Sequence, residues 1–173
     1  MDRFTEPLKT IGIEISDLQS CLTVDQAGLS NWVRLALQAQ GVHQASISLI
    51  LVDDAGIRRI NAEHLGHDYA TDVITFPMSE PNEPELTGEI VISTETAISS
   101  SALYGVPVER ELALYAVHGV LHLCGYDDQD EASRQTMEAR QQEILSPSED
   151  VAFSKNSVAG RLPGMTGGSS CPL

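Results

Sequence analysis

His118-Gly119-Val120-Leu121-His122-Leu123-Cys124-Gly125-Tyr126-Asp127-Asp128 sets two histidines four residues apart and ends on a carboxylate six residues past the second. On an α-helix that spacing puts both imidazoles on one face, one turn apart. Gly125 lets the helix stop, because glycine takes the left-handed conformation at a helix end with little strain. The chain can then turn back and bring an aspartate to the histidines. Two nitrogens and one carboxylate oxygen form a three-ligand zinc site whose fourth position stays open, the catalytic arrangement. Ligand chemistry alone leaves Asp127 and Asp128 both eligible, and either would also serve as a turn or cap residue. Cys124 follows His122 by two residues, ~200° round the helix, and reads as a small core residue.

Upstream, the same helix begins at Pro107, a residue favoured at helix starts. Glu109 and Glu111 in its first turn complement the helix dipole. Leu112, Leu114, Tyr115, Val117 and Leu121 make it largely buried. Before it, Thr94–Tyr104 reads as a helix with a Ser/Thr start and an early glutamate, ended by Gly105. After it, 130–145 reads as a last helix carrying Met137 and Ile144. The N-terminal half alternates periods. Residues 10–15 and 45–52 read as strands, 24–40 as a helix closed by Gly41, and a short helix with Asp54 as its cap runs to Leu65. Val73–Phe76 is a strand that Pro77 stops or marks as an edge, and Gly88–Ser93 is a fourth. The expectation is an α/β (α+β) domain: a four-stranded mixed sheet, about five helices, and a zincin-like metal helix near the C-terminus. Residues 1–9 read as a loose arm. The domain is expected to span 1–146, with 147–173 a disordered Gly/Ser/Pro-rich tail.

Composition narrows the setting. The chain has 173 residues, 42% of them hydrophobic, which suits one domain with a real core. It has no run of ~18 apolar residues and no apolar leader, so neither a membrane span nor a secretory signal is expected. Three widely spaced cysteines without Cys-x-x-Cys argue against a disulfide framework or zinc ribbon and suit a reducing cytoplasm. The net charge is −15, and Arg58-Arg59 is the only adjacent basic pair. Phosphate binding draws on Lys and Arg, so this balance opposes a charge-driven grip on nucleic acid and suits basic protein partners.

The motif His118-Gly119-x-Leu121-His122-Leu123-x-Gly125-Tyr126-Asp127 resembles the signature of the YbeY family of bacterial rRNA maturation factors. Ile60-Asn61 through Asp68, and Thr71-Asp72-Val73-Ile74-Thr75-Phe76-Pro77, are similar to a second family segment. Gly88-Glu89-Ile90-Val91-Ile92-Ser93 is similar to its Gly-Asp/Glu-Ile-x-Ile-Ser strand. Together the three cover about residues 10–145. The resemblance implies a single-strand-specific endoribonuclease with one Zn2+. Its setting would be the cytoplasm, in 16S rRNA 3′-end maturation and ribosome quality control. The implied partners are a single-stranded rRNA precursor and the small ribosomal subunit or its basic proteins, with no DNA. It also makes His118, His122 and Asp128 the ligands, with a zinc-bound water of pKa near ~7 and no side chain evident as general base.

Two departures from the family stand out. Its usual third ligand is histidine, where this chain has Asp128, which makes the centre more anionic and a weaker Lewis acid. Its functionally linked arginine is replaced by Leu65. Arg58, Arg59, His64 and His67 are the nearby residues that could face substrate instead. Two rival readings remain. The ligand spacing parallels that of zinc peptidases, but those need a glutamate where this chain has Gly119. The alternative is a ribosome assembly factor with a structural zinc, which the acidic charge favours.

Overall fold

The computed structural model describes residues 10–81 and 83–146. The proposed arm at 1–9 and tail at 147–173 lie outside the described residues. Nine elements follow in the order β1 (Ile11–Asp17), α1 (Gln26–Ala39), β2 (Ala45–Val52), α2 (Asp54–Leu65), β3 (Val73–Pro77), β4 (Leu86–Ser93), α3 (Thr94–Tyr104), α4 (Val108–Leu123) and α5 (Glu131–Leu145). The mixed sheet and the five helices match the expectation from sequence.

The sheet order is β1-β2-β4-β3. β1 pairs parallel to β2, and β2 parallel to β4. β3 runs antiparallel to β4, with Val73 opposite Ile92 and Pro77 opposite Gly88. Parallel neighbours need a long crossover, and helices supply it, whereas the short 78–85 link permits only an antiparallel return. Pro77 sits in β3, an edge strand, where its missing N–H costs no central ladder bond.

The central strands bury both faces. Ile47, Leu49 and Leu51 of β2 and Ile90 and Ile92 of β4 join a core shared with α1, α3, α4 and α5. Val52 and Val91 point the other way and pack with Ile57 of α2 and Ile74 of β3. This two-sided burial explains why Ile50-Leu51-Val52 runs apolar without alternation.

Helix α4 lies between the sheet and the other helices. Val117, Val120 and Leu121 are fully buried on it, each stabilising the fold by about 1.5–3 kcal/mol. Its approach to β4 is set by two glycines. A Cβ at Gly119 would meet Ile90 Cγ2 at 2.7 Å, and one at Gly88 would meet Leu123 Cδ2 at 2.5 Å. Only hydrogen fits at either point, so helix and strand sit closer than side-chained surfaces allow.

One cap differs from the sequence reading. Asp53 caps α2, its Oδ1 accepting from the Gly56 N–H at 2.7 Å. Asp54 lies in the first turn, and its Oδ1 accepts from the Ser93 and Thr96 hydroxyls. Both aspartates can accept from a backbone N–H, and the tie to α3 decides which one caps.

Candidate metal centre

The end of α4 builds the site. Cys124 caps the helix and Gly125 follows with φ +92°. The Gly125 N–H donates to His122 O at 3.0 Å and the Tyr126 N–H to Leu121 O at 3.0 Å. This pair is the Schellman closure, which satisfies two orphan carbonyls and reverses the chain. The reversal carries Asp128 over the helix end. Asp127 is committed to the turn, since its Oδ1 accepts from the Asp128 and Gln129 N–H groups at 2.8 and 3.1 Å. That separates the two aspartates that ligand chemistry left open.

His118 Nε2 and His122 Nε2 lie 3.0 Å apart, and Asp128 Oδ2 lies 3.7 Å from each. Ligands ~2.0–2.1 Å from a tetrahedral ion stand about 3.3 Å from one another, so this triangle has the size of such a face. Among the described residues these three form the group able to hold a metal ion.

The tautomers agree with that use. His122 Nδ1 is 3.0 Å from the Tyr126 carbonyl, which can only accept, so Nδ1 carries the proton. His118 Nδ1 donates to Gln141 Oε1 at 3.1 Å. With the rings neutral, both Nε2 atoms turn lone pairs toward each other and toward a carboxylate. Such an arrangement repels itself unless a cation lies among the three. Burial, and then the neighbouring His122, hold the His118 imidazolium pKa below its ordinary value. This favours the neutral form that a metal needs.

The triangle opens into a cavity of about 590 Å³ lined also by Leu65, His67, Tyr69, Asp72 and Thr75. His122 also borders a second groove, of about 890 Å³, on the side of Gln40, His43, Glu80 and Glu83. Of the four residues considered for the substrate side, His67 lines the cavity beside the triangle. Arg58 instead forms a two-pronged ion pair with Asp68, at 2.7 and 3.1 Å. His64 sets its ring edge-on to Phe76, centroids 5.3 Å apart. Arg59 is exposed and, like Arg58 and His64, is not among the lining residues.

Asp72 is the residue that sequence reasoning passed over. Its Oδ1 accepts from the Thr71 hydroxyl at 3.0 Å and the Val73 N–H at 2.8 Å. Its side chain lines both the main cavity and a smaller one that His118 and Asp128 share. The available signal was its place just before an edge strand, which pairing in space, not spacing along the chain, brings beside α4.

Fold and site together define a small α+β protein in which two helix-borne histidines and Asp128 form a group able to hold a metal ion. The family model described as Endoribonuclease YbeY matches residues 14–149, and the chain belongs to that family. It is 43% identical over 129 residues to a curated Moorella thermoacetica protein named Endoribonuclease YbeY, covering 68% of this chain and 83% of that one. A Pelotomaculum thermopropionicum protein of the same name is 40% identical over 141 residues, 76% of this chain and 93% of its own. The solution structure of a Thermotoga maritima protein shares the fold, with a TM-score of 0.54 at 24% identity, over 83% of this chain and 99% of that one. No helix among the described residues is long and apolar enough to cross a membrane.

Proposed function

We propose that this protein is a single-strand-specific endoribonuclease that uses one zinc ion in late rRNA processing, including 16S rRNA 3′-end maturation and ribosome quality control. The observation that carries this reading is the triangle of His118 Nε2, His122 Nε2 and Asp128 Oδ2 at the base of a cleft. Family membership supplies the reaction class. Zinc fits the donor set of two neutral imidazoles and one carboxylate. When bound there, it supplies Lewis acidity to a phosphoryl oxygen and to the attacking oxygen.

The chain's own groups do the rest. Gln141 and the Tyr126 carbonyl keep the Nε2 lone pairs aimed inward. Asp72 lines the cleft beside the triangle, with its Oδ1 held by the Thr71 hydroxyl and the Val73 N–H. Gly119 cannot take a proton. It has no side chain, and Ile90 fills the space beside it, which also argues against a peptidase. The acidic surface suits docking on basic ribosomal proteins in the cytoplasm.

The test is cleavage of single-stranded RNA by purified wild type and His122→Ala, with metal content measured in parallel. Wild type should carry one zinc per chain and cut, while His122→Ala does neither. Equal slow cutting by both, with zinc bound by wild type, would leave the metal structural and the nuclease reading wrong.

A further inference from the structure

Tyr69 is exposed at 57%, although it lines the cavity that holds the metal-site triangle. Among the described phenylalanines, tyrosines and tryptophan, the other exposed ring is Tyr104, at the end of α3 and outside that cavity. An aromatic ring left in water at the mouth of a cleft forgoes burial, so it calls for an occupant. The Tyr69 ring is also held in place. It stacks on His67 with centroids 5.4 Å apart and 15° between planes, and its hydroxyl lies 3.4 Å from His67 Nδ1. Stacking covers one face of the ring and leaves the other to solvent.

The loop beneath is braced at three points by α2. The side chain of Asn61, itself only 2% exposed, donates from Nδ2 to the Tyr69 carbonyl at 2.9 Å. The Asn61 carbonyl accepts from the His67 N–H at 3.3 Å. The Arg58 fork grips Asp68. A ring fixed in this way loses little conformational freedom when something stacks on it.

The lining also says what kind of grip this is. This cavity offers Leu65, His67 and Tyr69, with Asp72 and Asp128, and no Lys or Arg, while the Arg134 of the smaller adjoining cavity is paired with Glu131 at 2.7 Å. Leu65 is itself 50% exposed. A phosphate backbone finds little charge here, while a flat, uncharged base finds a π-face. Unpaired bases stack on aromatic rings, whereas bases inside a duplex are already stacked and cannot be offered.

We propose that Tyr69, backed by His67, is the stacking platform for an unpaired base next to the scissile phosphate, so that single-strand preference is read by stacking instead of by phosphate charge. This rests on the nuclease reading above and names a positioning residue for it. It predicts tight dependence on an exposed base and shallow dependence on salt.

The experiment uses the full chain carrying His122→Ala, which disables cutting, and a short oligouridine with a single 2-aminopurine. Binding should quench the fluorophore. Adding Tyr69→Ala should weaken binding roughly tenfold or more and abolish quenching. Tyr69→Phe should stay within about twofold of its parent, while Tyr69→Leu, which keeps apolar bulk without a π-face, should behave like Tyr69→Ala. Raising salt from ~50 to ~200 mM should change affinity far less than the 10³-fold or more seen for proteins making many phosphate contacts. Unchanged binding and quenching in Tyr69→Ala, or no quenching in the parent, overturns the platform. If wild type fails to cut better than His122→Ala while Tyr69-dependent quenching persists, the nuclease reading falls and the platform stands.

Discussion

His122 Nδ1 donates to the carbonyl oxygen of Tyr126 at 3.0 Å, so the residue that follows the helix-ending glycine also fixes the tautomer of a ligand. Turn and metal site are one device. Gly125 at φ +92° permits the reversal, the reversal aims the Tyr126 carbonyl at the imidazole, and two residues on it delivers Asp128. Gly125→Ala should therefore have two effects. It should lower stability by about 1–2 kcal/mol from left-handed strain and weaken metal binding as well. Urea unfolding and a chelator competition assay separate the two. Metal affinity equal to wild type at reduced stability would show that the turn and the site are independent.

Gln141 is the matching support for His118, reaching across from α5. Losing such an outer hydrogen bond costs about 10–100-fold in metal affinity. Gln141→Leu should show that loss with little change in the urea midpoint. Gln141→Glu, still an acceptor, should retain most of the affinity. Metal titration of the three proteins decides it, and equal affinity for Gln141→Leu and wild type would remove the residue from the site.

Asp128 makes the donor set more anionic than three imidazoles would. Asp128→His should still bind metal, and its stronger Lewis acid should raise the rate of RNA cleavage. Asp128→Asn should bind metal at least tenfold more weakly than wild type, because a neutral amide replaces the carboxylate. Turnover and metal content of both variants check this, and a slower Asp128→His that carries full metal would contradict it.

Gly119 lies against Ile90 with no room for a methyl group. Gly119→Ala should destabilise the fold by about 1–3 kcal/mol through overpacking. Ile90→Ala removes the Cγ2 and Cδ1 atoms nearest Gly119, so the double mutant should lose less than the sum of the two single losses, giving non-additivity in a double-mutant cycle of urea midpoints. Strict additivity would mean that the helix shifts as a body instead.

Tyr115 is buried, and its hydroxyl donates to Ser100 Oγ at 3.0 Å. Burial pushes its pKa up to about 12 from an ordinary 10.0. The folded state holds this proton more tightly than the unfolded chain does. The resulting stability is fully present below pH ~10 and is lost as pH rises from there towards 12. Unfolding free energies measured across that window should fall steeply for wild type and less steeply for Tyr115→Phe. Parallel slopes would place the titration elsewhere.

Much of this architecture was legible in the residues because local rules and tertiary demands agree. Gly125, Gly105 and the Val73–Phe76 run carry their conformations in their own chemistry, and His118 and His122 share a face by helix geometry alone. The choice between Asp53 and Asp54 as cap was not legible, because it turns on Ser93 and Thr96, some forty residues away. The same holds for Asp72 and Tyr69, which reach the site through pairing of β3 with β4 and through the brace from α2. Arg58 looked available for substrate only until Asp68 claimed it. Charge read along a chain does not say which ion pairs it closes.

The close seat of α4 on β4, set by Gly88 and Gly119, divides labour across the cleft. One wall is a buried helix end, where a side chain at Gly119 would meet that of Ile90 and one at Gly88 would meet that of Leu123. The opposite wall, residues 65–77, lines the cavity from an exposed loop and the edge strand that follows it. Side chains can therefore change on that wall, residue by residue, while the wall that carries His118 and His122 stays as it is.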